Sequence, residues 1–126
     1  MKLDHINISS PYELLVETKD FYCNVLGLVE GYRPEFQKRG FWLYAGDQAL
    51  IHLFESESHT ATDNRGYLDH VAFSHKDIDA FVQALRSSKV IFNTSYISSL
   101  NLTQVFLYDP AGIKLEVNFY DEKLNE

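Results

Sequence analysis

Four residues scattered along the chain have side chains of the types that bind divalent metal ions: His5, His52, His70 and Glu116. Each histidine lies in a short apolar run of the kind that forms a strand, and Glu116 lies in the middle of a fourth run, from Lys114 to Phe119. Imidazole nitrogens together with a carboxylate oxygen form a ligand set for transition metals. The four residues therefore predict one divalent metal site, favouring Zn, Ni, Mn, Fe or Co over Mg or Ca.

Strand parity predicts which way these candidate ligands point. The run from Lys114 to Phe119 alternates polar and apolar residues, so it is typical of a half-buried strand with Glu116 on the polar side. If the apolar side packs on a helix, the opposite, mixed face carries Glu116, and the same parity places His5 and His70 on mixed faces. His52 has apolar neighbours on both sides, so alternation leaves its direction open.

The sequence predicts a strand, a helix and three strands, repeated once, and these elements must position the candidate ligands. In the first half, strands are predicted at 3–9, 28–33, 41–45 and 49–55, with a helix that opens on a capping box at Ser10–Glu13 and ends near Gly27. In the second half, strands are predicted at 67–74, 90–97, 103–108 and 113–120, with a helix at 76–88 and Asp77 near its N-cap.

The repeat is visible in the residues themselves. Leu3-Asp4-His5 recurs as Leu68-Asp69-His70, and the separation between these two histidines nearly equals that between His52 and Glu116. The candidate ligands therefore occupy equivalent places in two related halves. We predict a single domain over residues 1–126, made of modules 1–55 and 67–120 joined by a linker at 56–66, with a solvated tail after residue 120.

Composition limits the classes of partner. At 126 residues with a hydrophobic fraction of 45%, the chain is long enough for one compact core. A net charge of −7 argues against nucleic acid and anionic membranes as partners, and no apolar run is long enough to span a bilayer. The single cysteine, Cys23, fits a reducing compartment, so a cytoplasmic location is expected.

Five stretches carry a resemblance to a known family. They are Leu3-Asp4-His5-Ile6, the stretch from Asp20 to Leu28, Ala49-Leu50-Ile51-His52-Leu53, Leu68-Asp69-His70-Val71-Ala72, and the stretch from Tyr108 to Glu116. They cover most of the chain, and in this order they resemble the vicinal oxygen chelate superfamily, which includes glyoxalases, fosfomycin-resistance proteins and extradiol dioxygenases.

The resemblance implies an α+β fold of two βαβββ modules that form an open, cup-like mixed sheet. It implies a metal ion held at the positions of His5, His70 and Glu116, with a fourth ligand at the position of His52. Glyoxalase-like members usually have glutamate or glutamine at that fourth position, so histidine there argues against glyoxalase chemistry itself. Small members are commonly homodimers that share their sites between chains, and a homodimer is therefore expected.

The expected function is that of a divalent-metal-dependent, glyoxalase-like lyase or isomerase. It would abstract a proton from a small oxygen-chelating substrate, with Glu116 as catalytic residue. Two alternatives stay open: an Fe(II) extradiol-type dioxygenase, because two histidines and one glutamate form a facial triad, and a resistance or ligand-binding protein of the same fold.

Substrate-binding residues are predicted from strand parity and charge. They are Arg33, Trp42, Tyr44, Gln104, Phe106 and Tyr108. Arg33 belongs to a basic cluster with Lys38 and Arg39 that is either an anion-binding site or a solvated loop. The resemblance adds that glutathione-using members tend to carry an arginine soon after the first histidine, where this chain has Ser9 and Ser10, which argues against glutathione.

Overall fold

The computed structural model describes residues 1–61 and 67–125 of a chain that divides into two compact units, Met1–Asp63 and Asn64–Glu126. Each unit contains one four-stranded mixed sheet and one helix, in the order strand, helix and three strands. The predicted α+β class and the duplicated βαβββ plan are therefore confirmed. Part of the predicted linker, residues 62–66, lies outside the described residues.

The first unit is a four-stranded sheet with strand order β1-β4-β3-β2. Its elements are β1 (Ile6–Ser10), α1 (Tyr12–Asn24), β2 (Val29–Gly31), β3 (Gly40–Ala45) and β4 (Gln48–Glu55). β1 pairs with β4 in parallel, and the other neighbours are antiparallel. Parallel pairing needs a long crossover, which α1 and the two strands after it provide.

One face of this sheet packs on α1 because its central residues are apolar. Leu43, Ile51 and Leu53 are completely buried on that face, together with Leu15 and Tyr22 of the helix. Burial of one such side chain contributes about 1.5–3 kcal/mol, so these contacts dominate the stability of the unit. The remaining side chains of β3 and β4 necessarily project from the opposite face.

The second unit repeats this topology, with strand order β5-β8-β7-β6. Its elements are β5 (Val71–Ser74), α2 (Ile78–Ser87), β6 (Asn93–Ile97), a 3-10 turn (Ser98–Leu100), β7 (Leu102–Tyr108) and β8 (Lys114–Tyr120). The apolar face of β8 is buried at Leu115, Val117 and Phe119, and the Phe81 ring of α2 lies 5.4 Å from that of Phe119. The parity expected for β8 is therefore correct. Neither described helix has the length and hydropathy that a membrane span requires.

Several predicted boundaries are wrong. The capping box is not formed: Pro11 is the N-cap of α1, and no side chain caps the helix. β6 begins at Asn93 rather than at residue 90, because the C-terminus of α2 takes up the chain before it: Lys89 has φ +57°, and Val90 N–H donates to the carbonyl of Leu85. β2 is also shorter than expected, and β1 and β5 begin one residue after His5 and His70.

The tail after residue 120 is tied down rather than a solvated end. Glu122 accepts hydrogen bonds from the backbone N–H groups of Asp77 (3.1 Å), the N-cap of α2, and of Ile78 (2.8 Å), its first residue. The Asp77 side chain caps the same helix by accepting from Ala80 N–H, as its N-cap position predicted. A carboxylate at a helix N-terminus satisfies free donors and interacts favourably with the helix dipole.

We expect Glu122→Ala to lower the free energy of unfolding by about 1 kcal/mol, because the substitution leaves two N–H groups of α2 without their acceptor. Urea unfolding followed by far-ultraviolet circular dichroism measures this loss. Glu17→Ala removes an exposed carboxylate from α1 and is the matched control. Equal stability of the two variants would show that the tail does not hold the helix.

Candidate functional site

His52 lies on the face of the first sheet that is opposite α1. Its neighbours Ile51 and Leu53 are both completely buried against the helix, which turns His52 and Phe54 to the other side of β4. The direction that the sequence left open is thereby settled. We call this side the helix-free face of the first unit. It carries the odd-numbered residues of β1, the even-numbered residues of β3 and, from His52 onwards, the even-numbered residues of β4; before that point the pairing with β3 shifts register between Leu43 and Tyr44.

Three rings form a continuous stack on this face. The His5 and His52 ring centroids are 3.8 Å apart with 9° between the planes, and those of His52 and Trp42 are 4.0 Å apart with 12° between the planes. Trp42 and His52 are register partners in β3 and β4, whereas His5 precedes β1. The structure therefore brings the two candidate ligands of this unit together, on a tryptophan that the sequence analysis named as substrate-binding.

The protonation state of His52 follows from its surroundings. Its Nε2 lies 3.1 Å from the carbonyl oxygen of Ala49, an acceptor only, so Nε2 carries the proton and Nδ1 is bare. Burial lowers the pKa of His52 below its usual 6.5, and the neighbouring charge of His5 lowers it further. His52 is therefore a neutral ring at pH 7.

The second unit brings together the other two candidate ligands. Nε2 of His70 lies 3.6 Å from Oε1 of Glu116, whose side chain is only 12% exposed. Asn118, two residues along β8, donates from Nδ2 to Oε2 of Glu116 at 2.8 Å. Asn118 was missed as a site residue, although its place on the polar side of β8 was evident from the alternation.

His5 and His70, which directly precede the first strand of their units, are each hydrogen-bonded to the preceding aspartate. Nδ1 of His5 lies 2.6 Å from Asp4, and Nδ1 of His70 lies 2.9 Å from Asp69. Because a carboxylate accepts, the neutral form of either ring carries its proton on Nδ1 and its free lone pair on Nε2. The hydrogen bond from His70 lowers the pKa of Asp69, and Lys114 lowers it further. The sequence signal was the repeated Asp-His pair.

The predicted substrate-binding residues have different surroundings. Gln104, Phe106 and Tyr108 are cross-strand partners of Asn118, Glu116 and Lys114, so they share the face of Glu116. Tyr44 packs its ring over Gly31 and donates its hydroxyl to the carbonyl of Tyr32 at 2.6 Å, so its polar group is already engaged.

The basic cluster is divided between two roles. Arg39 donates from Nε and Nη2 to both oxygens of Glu55, at 3.1 and 2.6 Å, and lies over the Tyr12 ring. The hydrogen bonds from Arg39 lower the pKa of Glu55 to about 2. Arg33 instead rests against aromatic rings on the helix-free face.

The candidate ligands thus come together as two pairs, one in each unit. Among residues 1–61 and 67–125, no group of three or more His, Cys, Asp or Glu side chains is placed to hold a metal ion. The pairs do have suitable donor chemistry, since each offers an imidazole with a bare Nε2, and the second adds a carboxylate oxygen.

The family follows from comparison with known proteins. A family model described as the glyoxalase/bleomycin resistance protein/dioxygenase superfamily matches residues 2–117. The chain belongs to this superfamily. The resemblance to vicinal oxygen chelate proteins is therefore confirmed. A search of curated proteins found no significant match.

Solved structures of the superfamily share the fold of this member. A glyoxalase/dioxygenase from Nostoc punctiforme aligns with a TM-score of 0.79 at 19% identity, over 96% of this chain and 92% of that one. A glyoxalase family protein from Enterococcus faecalis gives 0.67 at 26% identity, over 93% and 96%. A lactoylglutathione lyase from Agrobacterium tumefaciens gives 0.64 at 18% identity, over 94% and 92%. These likenesses confirm the glyoxalase-like fold.

We expect the fluorescence of Trp42, the single tryptophan, to report protonation of His52 in metal-stripped protein, because the two rings are stacked. The midpoint should lie below 6.5, the usual value for histidine. Since the unfolded chain binds this proton more readily, the contribution of His52 to stability is complete above the unfolded pKa and is lost as pH falls towards the folded pKa.

Two variants check the assignment. His52→Gln should remove the fluorescence transition. His5→Gln should keep the transition and raise its midpoint pH, because the charge of His5 no longer lowers the pKa of His52. A midpoint at or above 6.5, or a transition that survives in His52→Gln, would contradict the assignment.

Proposed function

We propose that the protein is a divalent-metal-dependent, glyoxalase-like enzyme in which His5, His70 and Glu116 bind the ion. One observation carries the proposal: both units hold a histidine by the same Asp–His hydrogen bond, which leaves Nε2 free. A carboxylate that orients an imidazole through its other nitrogen is the usual outer support of a metal-binding histidine. The superfamily generally uses a divalent metal, which supports the proposal further.

The distances in the second unit fit a shared ion. Adjacent ligands bound at about 2.1 Å to one ion lie about 3 Å apart. Nε2 of His70 and Oε1 of Glu116, at 3.6 Å, reach that separation with a small closing movement. Asn118 leaves Oε1 free for this role by holding Oε2.

His52 fits a supporting role better than a ligand role. The lone pair of an imidazole nitrogen lies in the plane of the ring, so an ion bound to it lies near that plane. The His5 and His52 planes are nearly parallel, with ring centroids 3.8 Å apart, and such planes do not meet at one ion. We therefore propose three protein ligands, with His52 stacked on His5 to hold its orientation. A fourth bond from His52 would require the stack to open.

The reaction that we propose is proton abstraction from a small oxygen-chelating substrate, as a lyase or isomerase. A bound ion would supply Lewis-acid polarisation of two adjacent substrate oxygens. Glu116 is the proposed catalytic carboxylate, because Asn118 holds it in one orientation and little of it is exposed. Trp42, Gln104, Phe106, Tyr108 and Arg33 are the proposed contacts to substrate. Tyr44, whose hydroxyl is engaged, would shape the site through its ring.

The proposed assembly is a homodimer that shares its sites between chains. This follows from the family membership, since superfamily members often dimerise. Closed two-fold dimers are also the commonest assembly of soluble proteins. Sedimentation velocity of the purified chain tests the dimer independently of the metal.

A second function is favoured by the donor set itself. Two histidines and one carboxylate are the facial triad of non-haem Fe(II) oxygenases, and His5, His70 and Glu116 form such a set. Metal analysis of protein purified without chelator separates the two functions. Bound iron with oxygen uptake on catechols supports the dioxygenase, whereas zinc, nickel or manganese with lyase or isomerase turnover supports the first proposal.

We expect one divalent ion per chain, and a loss of affinity of about 100-fold or more in His5→Ala, His70→Ala and Glu116→Gln. Each substitution removes one of three bonds to the ion. Calorimetric titration with Zn²⁺ measures the affinity. His59→Ala is the matched control, because the hydrogen-bond partners of His59 within the described residues are the nearby Ser56 and Ser58. Full affinity in any of the three ligand variants would remove that residue from the site.

The aspartates should matter for affinity without being ligands. We expect Asp69→Asn to weaken Zn²⁺ binding about 10–100-fold, because the amide no longer fixes the tautomer of His70 as firmly. Asp4→Asn should behave alike, since Asp4 holds His5 in the same way. The affinity of Asp109→Asn, a change in the turn before β8, should stay within a few-fold of wild type. Wild-type affinity in Asp69→Asn would show that the hydrogen bond has no role at the metal.

A further inference from the structure

A row of aromatic rings leads from the histidine pair to Arg33 on the helix-free face of the first unit. Trp42 stacks on His52, the Phe36 ring lies 6.5 Å from Trp42, and Phe36 lies 6.4 Å from Phe54. The Arg33 guanidinium lies over both phenylalanines, 4.8 Å from the centroid of Phe36 and 5.8 Å from that of Phe54. One face therefore has imidazoles at one end, a cation at the other and flat apolar surface between them.

Among the described residues of this unit, no carboxylate pairs with the charge of Arg33. Its Nη2 donates to the carbonyl of Lys38 at 3.1 Å, and its Nε is buried without a partner. No carboxylate in the described part of the chain forms an ion pair with it. Its neighbour Arg39, by contrast, is fully engaged by Glu55. A half-buried cation without a counter-charge is costly, and an anion from outside would compensate it.

The position of Arg33 depends on a glycine. A Cβ built on Gly40 would lie 2.8 Å from Nη2 of Arg33 and even closer to the carbonyl oxygen of Leu53. Gly40 is the register partner of Phe54. Because Gly40 has no side chain, the guanidinium of Arg33 lies directly against the sheet beside Phe54. The backbone carbonyl of Leu53 already requires a glycine here, and the missing side chain also leaves room for the guanidinium at the sheet surface.

Space for a small molecule lies next to the guanidinium. A cleft of about 390 Å³ is lined by Arg33, Phe36, Lys38 and Arg39, with Glu35 as the one carboxylate in its wall. The volume is in the range of small-molecule sites. Arg33 and Phe36 line the cleft and also belong to the aromatic row, whereas Trp42 and Phe54 lie outside the cleft lining. A ligand anchored at Arg33 could therefore extend from the cleft along Phe36 to the other rings.

We propose that this face binds a planar organic carboxylate, with its anionic group on Arg33 and its ring on Phe36, Phe54 and Trp42. His52 lies two residues before Phe54 on β4, about 7 Å along the strand. The opposite end of a one- or two-ring molecule therefore reaches His52 and His5. The proposal names the substrate class of the site proposed above, and it rests on that function for the chelating oxygens but not for the carboxylate.

Trp42 fluorescence tests the carboxylate site directly. Benzoate and its neutral analogue benzamide are titrated into full-length protein stripped on a chelating resin, since a soluble polycarboxylate chelator would compete. Ionic strength is held constant, and excitation is at a wavelength that neither probe absorbs. We expect saturable quenching by benzoate, with benzamide at least about tenfold weaker, because a charge-assisted hydrogen bond is lost. Equal affinity for both probes would overturn the proposal without any variant being made.

Charge-matched variants assign the effect to a residue. Arg33→Met should weaken benzoate binding at least about tenfold and leave benzamide unchanged, and Arg33→Lys should retain an intermediate affinity. Lys76→Met removes the same charge from an exposed position and should match wild type. Wild-type benzoate affinity in a folded Arg33→Met protein would overturn the proposal. Metal is absent from the benzoate titrations, so the two proposals are tested separately. A failure to bind Zn²⁺ would contradict the proposed function alone, and a failure to bind benzoate would contradict only the carboxylate site.

Discussion

The packing of each sheet against its own helix is the constraint on which the rest of the structure depends. A strand alternates its side chains, so burying Ile51 and Leu53 on α1 leaves His52 no other direction than the opposite face. The same rule in β8 buries Leu115 and Val117 and turns Glu116 outward from the helix. The directions of His52 and Glu116 are thus consequences of core packing, and a shift of one residue in register would turn both polar groups towards the helix.

Duplication explains why the two halves offer chemically matched donors. The Asp-His pair recurs at the start of both units, and in each the carboxylate takes the Nδ1 proton. The last strands of the two units differ. β4 carries His52, whose Nε2 is hydrogen-bonded to the carbonyl of Ala49, and β8 carries Glu116, which accepts a hydrogen bond from Asn118. One unit therefore presents a stack of aromatic rings and the other an acid–imidazole pair, although the backbone plan is the same.

Much of this fold was predictable from the sequence, because periodicity and repetition are properties of the residues themselves. Alternation located β7 and β8, and the repeat predicted two βαβββ modules. The errors fall where a local interaction competes with the pattern. Ser10–Glu13 has the composition of a capping box, but Pro11 takes the N-cap position. Within the site, the sequence named His52 but could not orient it, since both of its sides are apolar. Asn118 and the aspartates were missed because their roles exist only through hydrogen bonds.

The histidine at position 52 also constrains the chemistry that this superfamily member can perform. Its Nε2 is engaged with a backbone carbonyl, and burial keeps the ring neutral, so only Nδ1 can accept a proton. The adjacent rings of His5 and Trp42 lie against its two faces and hinder reorientation. An imidazole confined in this way is better suited to form a fixed surface of the site than to act as a mobile base. We therefore assign proton transfer in the proposed reaction to Glu116, the one carboxylate in the proposed ligand set, and the proposed substrate contacts of the first unit are its flat aromatic surface and Arg33.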